Sequence, residues 1–346
     1  MRTAHYKVSY LKDAALFDGA FTRFWLGVLI VGVVLVPMMV PEFQLHILNQ
    51  ALVAAVAVIG LNLLIGNTGL ISLGHAAFMS IGAYSTVLLT TELGAPYLVA
   101  VSGGAAMASA FGIVVSLPAL RLKGLYLALV TMGFAFVVDF AIRRSDLLGR
   151  DNGLAMPMPS IAMTPLDSTR RWYFVLVVVV AVVAIGVKNL MRRGTGRALA
   201  AIRDRDIAAS ISGVSLTHYK MLSFALSSAL AGLAGGLYAG LIGFINPAHF
   251  SLLLSVEFIA MIIIGGLGTV LGSILGALFL TFLPEIIRSL LEGRSAFLDE
   301  GFDDFRTALF GLIIVAVLVW EPDGFVGRWR DTKSYFRAWP YRRVPE

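Results

Sequence analysis

Residues 172–190 read WYFVLVVVVAVVAIGVKNL, and residues 191–214 continue MRRGTGRALAAIRDRDIAASISGV. The first stretch is long enough to cross a bilayer, since a spanning helix needs about 20 mostly apolar residues. It lacks the strict alternation of a lipid-facing barrel strand. Backbone polar groups in lipid must be satisfied within the segment or a closed barrel, so a run of this kind reads as a helix. Comparable runs occupy 24–40, 47–65, 73–90, 97–117, 124–142, 219–241, 252–266, 269–287 and 305–321. The 346 residues are 58% hydrophobic and 14% charged, against about 25% charged in soluble domains. Mean hydropathy is +0.85. The expected fold is all-α: a polytopic helical membrane protein with about ten membrane-crossing segments.

The positive-inside rule orients these segments. With the N-terminus in the cytoplasm, 19 of the 27 basic residues fall on inside segments. The opposite orientation would reverse that bias, so an N-in, C-in topology follows. Residues 1–23 are then a cytoplasmic N-terminal segment, 24–321 the membrane domain with a cytoplasmic loop at 191–218, and 322–346 a basic cytoplasmic tail. The run from Phe24 lacks a small-residue cleavage site and reads as a retained span. Glycines crowd 66–90 and 252–287, where the number of crossings is hardest to read. The outside segment Arg143–Arg171 contains Pro157, Pro159 and Pro165 and reads as a loop with at most short helices. It is either a connector or a docking surface for an extracytoplasmic partner.

Several chemistries are excluded. There is no cysteine, hence no disulfide or thiolate site. No His/Asp/Glu group has metal-ligand spacing, and no serine sits in a nucleophile elbow. The phosphate-cradling G-x-x-x-x-G-K-[ST] pattern is absent. No enzyme activity, cofactor or nucleic-acid partner is expected of the chain itself.

Two segments look alike: IGNTGLISLGH at 65–75 and IGGLGTVLG at 264–272. Each follows an inward-running span. Irregular backbone at membrane depth is tolerated only when it is buried in protein or lines a cavity, and paired Gly-interrupted segments point to a transport site. Ser228, Gly232, Gly236 and Gly240 recur every four residues, as do Gly268, Gly272 and Gly276. Such stripes let helix backbones approach closely, within the subunit or against a substrate.

In the loop, the charges of Arg203 to Asp206 circle a full helical turn. That turn cannot lie in lipid. Leu199, Ile202, Ile207 and Ile211 are too many apolar residues for a solvated linker, which suggests short helices docked on protein, with Gly213 ending one. An ordinary Arg-rich inside loop is the other reading. GRALAAIRDRDIAASISGV at 196–214 resembles the coupling loop of permease subunits of ATP-binding cassette importers. The blocks IGNTGLISLGHAAFMSIGAY at 65–84 and INPAHFSLLLSVEFIAMIIIGGLGTVLGSILGALFLTFLPE at 245–285 are similar to the branched-chain amino acid permease family (the LivM type). The resemblance covers about residues 45–327.

The resemblance implies one subunit of a heteromeric importer in the inner membrane. A related second permease would pair with it. Two cytoplasmic ATPases, using ATP and Mg, would dock on its loops, and an extracytoplasmic binding protein would deliver the solute. Arg197, Ile202, Arg203, Asp204, Arg205, Asp206 and Gly213 would transmit ATPase closure. Asn62, Asn67, Ser72, His75, Glu257, Gly265 and Gly268 are the candidates for the translocation path, ionisable residues within spans being functional candidates by default. For Glu257, Asn62 and Asn67 an interhelical hydrogen bond is the alternative, and for His75 a capping or packing role. Asp139 reads as a snorkelling end residue. A proton-coupled secondary transporter using Asp139 or Glu257 is a rival reading, and a lipid-acting membrane enzyme a third.

Overall fold

The computed structural model describes residues 20–122, 124–161 and 164–291, with 311, 312, 315, 319, 324–328 and 332 beyond them. Residues 1–19, most of the span expected at 305–321 and most of the tail lie outside the described residues. The chain divides into two compact units, Met1–Leu45 and His46–Glu346. The first contains α1 (Ala20–Met39).

The larger unit is built on α2 (Glu42–Thr68), α3 (His75–Thr91), α4 (Tyr97–Ala119), α5 (Leu125–Arg144), α6 (Thr169–Arg192), α7 (Gly194–Asp204), α8 (Asp206–Ile211), α9 (Leu216–Ile242), α10 (Leu252–Gly265) and α11 (Val270–Leu291). Among the described residues, seven helices are long and apolar enough to cross a membrane. They are α2, α4, α5, α6, α9, α11 and α10 together with the turn that precedes it. In α2, 78% of the most apolar window is buried, whereas in α6 only 17% is. A helix that is apolar all round and buried belongs to the centre of a bundle. α6 instead turns Val178 and Val182 outward, as a lipid-facing helix does.

The centre closes through glycine. A Cβ on Gly82 would run into the backbone of Gly232, and one on Gly235 into the carbonyl of Met79. α3 and α9 therefore touch backbone to backbone, and only glycine permits that approach. Farther along α9, Ser228 lies against Gly112, Gly236 against Thr86 and Val101, and Gly240 against Tyr97 and Trp172. The four-residue stripe is thus a packing seam within the chain.

α2, α4, α6 and α10 run toward the end that carries α7 and α8, and α3, α5, α9 and α11 run away from it. α10 has 14 residues, about 21 Å at the usual helical rise, too short for a core of about 30 Å. A 3-10 turn, Pro247–Phe250, completes the span. Asn246 caps that turn, its side chain accepting from His249 N at 3.2 Å. The segment at the opposite end of the bundle is more ordered than its prolines imply. Its strand β1 (Leu154–Ala155) pairs antiparallel with β4 (Phe244–Ile245), and β2 (Ser160–Ile161) with β3 (Thr164–Pro165). Residues 324–328 form a helical turn. Gly324 abuts the carbonyl of Ile263 and the amide of Gly266, and Phe325 meets Phe279 edge-on at 5.1 Å.

Candidate coupling site

The two glycine hairpins lie at the same end of the bundle and meet. Asn62, in the penultimate turn of α2, is buried. Its Nδ2 donates to Thr269 O and to Ser273 Oγ, both at 2.8 Å. Its Oδ1 accepts from Gly268 N at 2.8 Å. One side chain thereby ties α2 to the turn between α10 and α11. Gly66 lies so close to Gly268 that a Cβ would collide with its backbone. Gly268 itself has φ +75°, a left-handed conformation that favours glycine. Gly265 packs on Gly272, and Gly276 on Met261, so the second glycine stripe is the seam between α10 and α11.

The loop helices dock on this crossing. Leu199 and Ile202 of α7 are buried, and Leu199 joins Ile59, Leu63 and Val187 in one apolar cluster. Arg203 Nη1 donates to Gly66 O at 2.5 Å, and its stem lies beside Gly69. A carbonyl near the end of α2 has few intrahelical donors left, and a cation there is favoured by the helix dipole. Thr68, Gly69, Gly124, Arg203, Arg205, Asp206 and Lys220 are among the residues that line an adjoining cleft of about 310 Å³.

The expected helical turn over Arg203–Asp206 does not form. Arg205 is extended, at φ −156° and ψ 105°, and breaks α7 from α8. The break leaves Arg203 in the last turn of α7 and Asp206 in the first turn of α8, each charge at the helix end whose dipole it complements. The break splits the apolar residues into two sets. Leu199 and Ile202 face the bundle, while Ile207 and Ile211 are 68% and 83% exposed. Arg197 and Asp204 are exposed as well. Gly213, at φ +84°, ends α8 as expected, with Val214 N donating to Ala209 O at 3.0 Å.

The first hairpin continues differently. Ser72 and His75 are fully buried. His75 Nε2 lies 2.9 Å from Ala57 O, which can only accept, so Nε2 carries the proton. Nδ1 has no partner, and the ring meets Phe258 edge-on at 5.9 Å. Leu73 N donates to Thr131 Oγ1 at 2.9 Å, and Ala76 N to Ser255 Oγ at 3.0 Å. The N-terminus of α3 is therefore capped from within the chain. Asn67 Nδ2 reaches back to Asn62 O at 3.3 Å. These contacts give Asn62, Asn67 and His75 bonding and packing roles, and Thr131, Ser255 and Ser273 join them. Only their partners, far away in sequence, mark those three out.

Glu257 stands apart. It is partly exposed on α10, and among the described residues it forms no hydrogen bond or ion pair. A carboxylate facing hydrocarbon at mid-depth costs roughly 3 kcal/mol on insertion scales. Asp139 is unlike it. It pairs with Arg143 at 2.8 Å, and Arg143 also binds Asp151, at the end of α5 away from the loop helices. No hydrogen bond links Asp139 to Glu257. Among the described residues no His/Asp/Glu cluster has the makings of a metal site.

The sequence has relatives. The family described as branched-chain amino acid transport system / permease component matches residues 43–319. The high-affinity branched-chain amino acid transport system permease protein LivM of Escherichia coli is 29% identical over 329 residues, covering 88% of this chain and 75% of that protein. LivM of Salmonella typhimurium is 28% identical with the same coverage. The autoinducer 2 import system permease protein LsrC of an Enterobacter strain is 33% identical over 172 residues, covering 48% of this chain and 46% of that protein. No solved structure matches. With a match over most of its length and a bundle of apolar helices, this multi-pass membrane protein belongs to the permease-component family of branched-chain amino acid transport systems.

Proposed function

We propose that the chain is one permease subunit of an ATP-binding cassette importer of the inner membrane, moving branched-chain amino acids or a related small solute inward. The basic end of the bundle faces the cytoplasm in this reading, with about ten crossings and both termini inside. Two ATPases, which bind ATP and Mg, dock on α7 and α8. A second permease completes the path, and an extracytoplasmic binding protein delivers the solute to the opposite end.

The observation that carries the reading is the division of labour across Arg205. α7 buries Leu199 and Ile202 and puts Arg203 on the glycine crossing. α8 leaves Ile207 and Ile211 bare. A load placed on α8 is passed through α7 to the carbonyl of Gly66, and through Asn62 to α10 and α11. Arg197, Asp204, Arg205 and Asp206 frame the docking face, and Gly213 sets where it stops. Asn67, Ser72, Gly265 and Gly268 then act as the moving joint beside the path.

The test uses both permeases and both ATPases in proteoliposomes, with the binding protein supplied. Replacing Ile207 and Ile211 by Asp removes two apolar anchors, each worth about 2 kcal/mol in a well-packed interface. Co-purification of the ATPases and ATP-driven uptake should both be lost. Arg203→Ala should leave the ATPases bound and cut uptake. Uphill uptake by this chain alone, driven by a pH gradient, would reject the proposal in favour of a proton-coupled carrier.

A further inference from the structure

Among the described residues within the spans, Glu257 is an ionisable group whose position the packing of the bundle does not explain. Its depth follows from its neighbours. Ser255 accepts from Ala76 N, and Phe258 meets the ring of His75, which itself bonds to Ala57 O. Ala57 lies eleven residues before the end of α2 at Thr68, about 16 Å at the helical rise. That is close to the midplane of a core about 30 Å thick. Ser255 and Phe258 are buried, whereas Leu253 and Val256, on the stripe that includes Glu257, are 63% and 46% exposed. Lipid covers leucine and valine well and a carboxylate badly. An intramembrane carboxylate turns toward a protein or water-filled interior and takes a partner there, and the described residues offer Glu257 none.

We propose that the Glu257 carboxylate lines the solute route at the middle of the membrane and receives the ammonium group of an amino-acid-like solute. The inference rests on the reading of the chain as a permease subunit and narrows its cargo. An α-amino acid brings the matching cation to a lone carboxylate, whereas urea and simple amides bring only neutral N–H donors, and a charge-assisted hydrogen bond is roughly twice as strong. A single unpaired carboxylate also suits transit: it attracts the ammonium without enclosing it, so the solute can leave again. The buried and capped N-terminus of α3 supplies no second pole for the solute carboxylate.

The chain has no native cysteine, so E257C is a clean reporter in the assembled complex. The probe is a water-soluble, positively charged methanethiosulfonate. E257C should react, and leucine supplied with its receptor and ATP should slow the reaction at least fivefold. V178C, on the exposed face of α6, should stay unreactive. An E257C as inert as V178C would place the residue against lipid or protein and overturn the proposal. In transport, E257D should keep most leucine uptake, and E257Q should lose it by tenfold or more while receptor-stimulated ATP hydrolysis persists. E257Q moving leucine at the normal rate would remove the ammonium from the account. An assembly that shows no ATP-driven uptake even with the unaltered chain would defeat the importer reading instead, while the cysteine reaction still reports whether Glu257 faces water.

Discussion

The two glycine hairpins share a sequence pattern and one end of the bundle, yet they do different things. The second, at 264–272, turns straight from α10 into α11 and is held by small-residue packing. The first, at 65–75, leaves α2 and runs without helix until His75, which sits level with the middle of α2. Its ascent is pinned from three sides, by Thr131 at Leu73, by Ser255 at Ala76 and by Ala57 at His75. Similar glycines thus specify a tight reversal, and the partners that follow decide whether the chain re-enters as a full helix or a half-depth one. Both hairpins then converge on Asn62 and Arg203, which makes their crossing a joint.

That comparison can be broken most forcefully at Gly66. Gly66→Val puts two methyl groups where backbone already lies and should cost about 3 kcal/mol or prevent assembly, as overpacking does. Thermal unfolding of the purified protein in detergent reads it. A midpoint within a degree or two of the unaltered chain would mean the hairpins are not in contact. Asn62→Ala keeps the space but strands Gly268 N and takes one donor from Thr269 O and from Ser273 Oγ, which stay bonded to each other. The expected loss is about 2 kcal/mol, given the modest strength of hydrogen bonds between membrane helices. Thr131→Val is the finest cut. It strands Leu73 N alone, affects only the first hairpin, and should cost about 1 kcal/mol. Hydrogen exchange should quicken at residues 71–75 and stay unchanged at 264–272. Equal quickening in both would show that the two hairpins unfold as one unit.

Much of the architecture was legible because lipid leaves few options. Runs of apolar residues had to be helices, and nine of the ten expected stretches coincide with helices among the described residues. The glycine hairpins were legible for the same reason, since irregular backbone at depth needs glycine and close packing. The charged turn was misread: Arg203 to Asp206 looked like one turn of helix, but the break at Arg205 puts Arg203 in the last turn of α7 and Asp206 in the first turn of α8, where each charge suits the helix dipole. Arg203 was found by its charge, although its contact with Gly66 was not, because 137 residues separate the two. Asp139 was legible as an end residue, with Arg143 one turn along, whereas Asp151 joins only through the folded segment between α5 and α6.

The sequence alone determined that the chain is helical and membrane-spanning, and where its backbone must bend. Hydrocarbon penalises every unpaired peptide group, and that penalty acts locally. Tertiary structure decided which bends meet, which side of the loop helices is buried, and which polar residue is left without a partner. Asn62 and Glu257 look equally polar in the chain. Only the approach of α11 satisfies the first, and only the direction in which α10 faces leaves the second open.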